Sequence, residues 1–156
     1  MSLANNMVAE SAKQLNLREP VTVRPTQTVR ETVAAMRAKN LGCAILVDDE
    51  EKPVGMFTER LLTQMLSDKP TMIDGPVINH SATYWPQIKL SDPVIAVPEA
   101  LEARNVRFVA VVDDNGRLAG LTGQKGLMEY IADHFPGLVT VQRVGLGVTI
   151  HEREGA

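Results

Sequence analysis

The sequence predicts an α/β (α+β) protein made of two β-α-β-β-α units in tandem, followed by a C-terminal β-hairpin. Three observations predict it. The chain matches itself: "LVDDEEKPVGMFTERLL" (46–62) falls on "VVDDNGRLAGLTGQKGL" (111–127) without a gap. Asp48 lands on Asp113, Gly55 on Gly120, Asn40 on Asn105 and Leu62 on Leu127, always at an offset of 65 residues. Strand and helix signals recur in the same order in both halves, so that each unit covers the apolar face of the other. Finally, 156 residues with 44% hydrophobic and only 4% aromatic side chains suffice for one core of Val, Leu, Ile, Ala and Met.

Residues 1–16 form an N-terminal segment expected to be helical, and the first unit spans 17–68. It opens with "VTV" (21–23), an alternating run stopped by Arg24-Pro25, which reads as a short strand. "TVRE" (28–31) has capping-box spacing, Thr28 toward the Glu31 amide and Glu31 back. Val29, Val33 and Met36 then share one face of a helix, closed by Asn40 or Gly42 in a left-handed conformation. "CAILV" (43–47) is continuously apolar, as in a strand buried on both faces. "DDEEKP" is an acidic turn, "VGMF" (54–57) an antiparallel third strand, and a second helix starts at Thr58 or Glu59.

Residues 69–84 are rich in Pro, Asp, Ser and Asn and read as a linker. The second unit, 85–136, repeats the first: strand "QIKL", helix, strand "FVAVV", turn "DDNG", strand "LAGLT", helix "GLMEYIADHF". One local conflict arises. Asp92-Pro93 is a helix-start signal, yet Pro98 would then fall inside the helix, where it opposes the backbone pattern. The reading that avoids this starts the helix at Pro98, running "PEALEAR". Residues 137–156 hold two alternating runs around Gly145-Leu146-Gly147, a β-hairpin.

Composition narrows function. A formal charge of −3 lacks the basic face that nucleic acid requires, so no nucleic-acid partner is expected. No apolar run is long enough for a bilayer, and the N-terminus has no signal-peptide pattern, so no membrane association and a cytoplasmic location are expected. The one cysteine, Cys43, reads as a small core residue rather than a nucleophile. His80, His134 and His151 have no metal-ligand spacing. No acid–base pair or nucleophile arrangement is visible, so no enzymatic activity and no required cofactor are expected.

The stretches "VTVRPTQTVRETVAAM", "LGCAILVDD", "GMFTER", "RFVAVVDDNGRLAGL" and "MEYIADHFP" resemble cystathionine β-synthase (CBS) domains, and the pair resembles a Bateman module across roughly residues 17–136. The resemblance implies a pseudo-twofold core of two three-stranded sheets and four helices. It implies clefts between the repeats that take AMP, ADP, ATP or S-adenosylmethionine, a flat homodimer, and an unknown regulated protein as partner. The family motif is a glycine, two apolar residues, Ser or Thr, two residues, then an Asp whose carboxylate accepts from both ribose hydroxyls.

Here the motif reads Gly55-Met56-Phe57-Thr58-Glu59-Arg60-Leu61 and Gly120-Leu121-Thr122-Gly123-Gln124-Lys125-Gly126, with the carboxylate replaced by Leu61 and Gly126. Arg107-Phe108 stands where related proteins often have Arg-His. The candidate ligand-binding residues implied are Thr22, Val23, Cys43, Ala44, Met56, Thr58 and Arg60 in the first repeat. In the second they are Gln87, Ile88, Arg107, Phe108, Val109, Gly123 and Lys125. Two readings follow: a regulatory sensor that binds an adenosine nucleotide or small anion weakly, or a ligand-free dimerisation or scaffolding module.

Overall fold

The computed structural model describes residues 2–104 and 106–135. The expected hairpin at 137–156, with His151 and Gly145-Leu146-Gly147, lies outside the described residues. In chain order the elements are α1 (Leu3–Ala9), β1 (Thr22–Val23), α2 (Val29–Ala38), β2 (Cys43–Val47), β3 (Pro53–Thr58) and α3 (Glu59–Asp68). There follow β4 (Gln87–Lys89), α4 (Ala96–Arg104), β5 (Phe108–Val112), β6 (Leu118–Gly123) and α5 (Gln124–His134). Short 3-10 turns occupy Ala12–Gln14, Pro70–Asp74 and Val77–His80.

Two three-stranded sheets form, ordered β1-β2-β3 and β4-β5-β6. The internal repeat holds in their pairing register. Thr22 pairs with Ile45 in parallel, and Gln87 with Ala110, each 65 residues on. Cys43 pairs with Thr58 antiparallel, and Phe108 with Gly123. Even the irregularity repeats, between Leu46 and Val47 and again between Val111 and Val112. The acidic turn is equally doubled. The Asp48 carboxylate accepts from the Glu50 and Lys52 amides at 2.9 and 3.0 Å, as Asp113 does from Asn115 and Arg117 at 2.8 and 3.0 Å. Glu51 and Gly116 each take positive φ, 62° and 80°. These first aspartates therefore build the turn through backbone bonds.

The capping box forms as the spacing predicts, with Glu31 N–H donating to Thr28 Oγ1 and Thr28 N–H to Glu31 Oε2, both at 3.0 Å. Asn40, at φ 51°, is the left-handed residue after α2. At α4 the expectation is corrected. The helix begins at Ala96, two residues before Pro98. Pro98 thus sits in the first turn, where no intrahelical partner exists for its missing N–H. The Asp92 carboxylate is taken by the Lys89 amide at 2.8 Å, so it caps nothing.

Three apolar clusters make the core. Val23, Ala44, Leu46, Phe57 and Met65 pack with α2 and α3, and Ile88, Val109, Val111 and Tyr130 with α4 and α5. Between the sheets lie Cys43, Ile45, Val47, Met56, Ala110 and Leu121. β2 is therefore buried on both faces, helices on one side and the other sheet on the opposite side.

The segments leading into each repeat dock crosswise. Ala12 and Leu15 join the core of the second repeat, and Val77, 65 residues after Ala12, joins that of the first. Arg18 exchanges backbone bonds with Leu121 at 2.8 and 3.0 Å, and Ala82 with Met56 at 2.8 and 3.3 Å. Residues expected only as linker thus complete a core and cover the edge of β3.

Candidate functional site

Each helix that follows a third strand opens toward the seam between repeats. α3 starts at Glu59 because Thr58, in extended backbone, accepts from the Leu61 amide at 3.3 Å. α5 starts after Gly123, which offers no side chain to cap it. A Cβ at Gly123 would stand 2.3 Å from the Arg107 carbonyl oxygen, so the approach of two backbones excludes the expected hydroxyl residue there.

Two clefts result. The first, of about 410 Å³, is lined by Met56, Thr58, Arg60 and Leu61 of the first repeat, by Trp85, and by Arg107 and Phe108 of the second. The second, of about 390 Å³, is lined by Thr122, Gly123, Lys125 and Gly126, by Arg18 and Asn40, and by the same Arg107 and Phe108. Gly42 and Glu59 line both. The clefts are pseudosymmetric in position and unlike in lining. Gly42 stands where the other repeat has Arg107, and Phe108 reaches within 3.4 Å of where a Gly42 Cβ would be.

The structure brings together Met56, Thr58, Arg60, Arg107, Phe108, Gly123 and Lys125 from the sequence-derived candidates. It does not bring in the rest. Val23 and Ala44 face the first core, Ile88 and Val109 the second, and Cys43 the seam between sheets. Burial raises the Cys43 thiol to about 12, helped by the nearby Glu59 carboxylate. Thr22 and Gln87 are exposed on short strands, and the Gln87 side chain accepts from Trp85 Nε1 at 3.2 Å. Cys43, Ala44 and Val109 belong to central strands buried by a core or the facing sheet, while alternation on the short β1 and β4 turns Thr22 and Gln87 outward and Val23 and Ile88 inward.

Sequence reasoning missed Trp85, Tyr84, Arg18, Glu59 and Gln64. Tyr84, Trp85 and Arg18 sit in connecting segments outside the motif, and only the crosswise docking carries them to the clefts. Glu59 lay inside the motif between two named residues, and its charge was the available signal.

Arg60, Arg107 and Lys125 are exposed and make no hydrogen bond or ion pair with any described residue. Three cations thus face the clefts without a partner among the described residues. Arg18 is paired to Glu129 at 3.1 Å. No cluster of three metal-ligating side chains occurs among the described residues. No helix among them is long and apolar enough to cross a membrane.

Comparison with known proteins agrees with this architecture. An uncharacterized protein of Methanopyrus kandleri is 26% identical over 79% of this chain, which spans 63% of that protein's length. Another from Methanocaldococcus jannaschii is 27% identical over 74% of this chain, which spans 30% of it. A solved structure of a CBS domain protein from Pyrobaculum aerophilum, described as complexed with AMP, superposes with a TM-score of 0.65. It is 25% identical, over 78% of this chain and 98% of that one. The CBS domain pair of a protein crystallised with 5′-methylthioadenosine and S-adenosylmethionine superposes at 0.67 with 21% identity, covering 82% and 97%. The CBS-domain profile itself matches twice, at residues 12–68 and 86–133. Two matched repeats, in a common register and enclosing paired clefts, place this chain in the CBS domain family as a tandem pair.

Proposed function

We propose that the chain is a non-catalytic regulatory module whose first cleft takes an adenosine nucleotide and whose occupancy biases a partner protein. The observation that carries this reading is an aromatic wall beside unpaired guanidinium groups. Trp85 and Phe108 offer flat apolar surface for a base, and Arg60 and Arg107 offer charge for phosphate. A volume of about 410 Å³ falls in the range of small-ligand sites. The Pyrobaculum relative, described as an AMP complex, supports the ligand class. Leu61 leaves the ribose hydroxyls without a carboxylate, which weakens binding by roughly 1–3 kcal/mol. S-adenosylmethionine is the alternative ligand, and a second copy of the chain the expected structural partner.

A ligand-free dimerisation or scaffolding module is the competing reading, and the same Leu61 favours it. Trp85 is the only tryptophan, so its fluorescence reports the first cleft. AMP, ADP, ATP and S-adenosylmethionine are titrated while emission and thermal midpoint are followed. At a hundred times its Kd, a ligand stabilises by about 2.7 kcal/mol. No change in emission or midpoint at millimolar concentration would overturn the nucleotide reading.

A further inference from the structure

We propose that the second cleft binds a phosphate-class anionic group and seats no nucleobase. This rests on the reading that the module takes ligands between its repeats, and it gives this cleft a ligand class of its own.

The backbone supplies the first part of the site. α5 has eleven residues and no side-chain cap, so the amides of its first turn have no intrahelical acceptor. They carry the positive end of the helix dipole. In the first cleft the equivalent amide of Leu61 is taken by Thr58. In the second, neighbouring atoms keep both turn positions bare. A Cβ at Gly123 would meet the Arg107 carbonyl at 2.3 Å, and one at Gly126 would meet Thr122 Oγ1 at 2.4 Å.

Thr122 supplies the second, independent part. It replaces Phe57 of the first repeat, is 3% exposed, and lines the cleft under the first turn of α5. Its Oγ1 is buried with no hydrogen-bond partner. Buried hydroxyls are rarely left unpaired, and an anion oxygen is the acceptor this one lacks. Lys125, on the same turn, and Arg107 add unpaired charge. Glu59 also lines the cleft, which favours the Lys125 side for the anion.

The lining selects against a nucleoside. Among the described residues, Tyr84, Trp85 and Pro86 border the first cleft only, and Phe108 is the one aromatic side chain lining the second. Gly126 presents nothing to a ribose. The shared chemistry is a phosphoryl group, which arrives either as a free anion or as the end of a nucleotide seated in the first cleft.

Isothermal titration of the full chain with pyrophosphate, inorganic phosphate and AMP separates these sources, with Trp85 emission followed in parallel. Pyrophosphate is expected to bind without changing Trp85 emission. Lys125→Met and Thr122→Val are each expected to weaken it about tenfold, while Arg60→Met leaves it unchanged. Without ligand, Thr122→Val raises the thermal midpoint, because it removes an unpartnered buried hydroxyl. Lys125 is exposed, so its variant keeps the test valid if Thr122→Val fails to fold. Absence of pyrophosphate binding at millimolar concentration overturns the proposal, as does loss of binding in Arg60→Met but not Lys125→Met. AMP binding that moves Trp85 emission while pyrophosphate does not bind refutes this site and leaves the nucleotide reading standing. Pyrophosphate binding that depends on Lys125, with no nucleotide response, does the reverse.

Discussion

Under the proposed function, single side chains set ligand affinity, and burial sets thiol reactivity. Leu61 is half-buried in the first cleft, at the position where the family resemblance implies a ribose-binding carboxylate. Leu61→Asp is expected to tighten AMP binding roughly ten- to a hundredfold, matching the 1–3 kcal/mol of unpaired hydroxyls, as read by titration. An unchanged affinity would mean that the ribose does not lie against α3. Cys43 makes a second prediction. Its thiol, raised by burial to about 12, has a thiolate fraction at pH 8 of roughly one in ten thousand. Iodoacetamide should leave the native protein unlabelled and label it fully in denaturant, as mass spectrometry would show. The sign of the shift also matters. A folded-state value above the ordinary 9.0 adds stability below about pH 9, and that stability is lost as pH rises toward 12. The inert thiol was legible from a continuous apolar run, because burial on both faces follows from its setting. That Arg60, Arg107 and Lys125 find no partner among the described residues was not legible, since pairing depends on what lies across the cleft.

At the scale of elements, caps and turns were the most readable features. Thr28 and Glu31 close on each other within four residues, so spacing alone predicts them. Thr28→Ala should cost about 1 kcal/mol and lower the thermal midpoint by roughly 2–4 °C. Gly123→Ala should cost more, about 1–3 kcal/mol, because the obstacle is the Arg107 carbonyl and not a movable side chain. Denaturant unfolding distinguishes the two, and equal costs would contradict the close backbone approach. The start of α4 was misread for a physical reason. Starting the helix at Pro98 kept the proline out of its interior, yet the first turn needs no N–H donors, so two helical residues precede Pro98. Asp92, the other start signal, spends its carboxylate on the Lys89 amide. Local sequence lists what a side chain can bond, while the neighbouring strand decides which bond forms. The same holds for β1 and β4, found where expected but too short for alternation to aim their side chains at a cleft.

For the whole molecule, the repeat organises two cores, and the segments before each repeat complete them crosswise. Ala12 and Leu15 belong to the core of the second repeat although they precede the first in sequence. Deleting residues 2–18 should therefore destabilise the second repeat more than the first, by at least about 3 kcal/mol from the lost burial of Leu15 and its neighbours. Hydrogen exchange resolved by repeat would show faster exchange in β5 and β6. Equal effects in both repeats would rule out the crosswise arrangement.

The sequence by itself determined the doubled unit, its constant offset, the order of strands and helices, the capping box and the absence of both ribose carboxylates. Those features are written in periodicity and in bonds between near neighbours. Only the tertiary structure decided that the two clefts differ. It placed Trp85 at one and set Thr122 beneath the bare first turn of α5 at the other, leaving three cations between the repeats without a partner among the described residues. The placement of Trp85 and the state of the cations depend on residues far apart in the chain meeting across a seam, which offset and spacing do not encode.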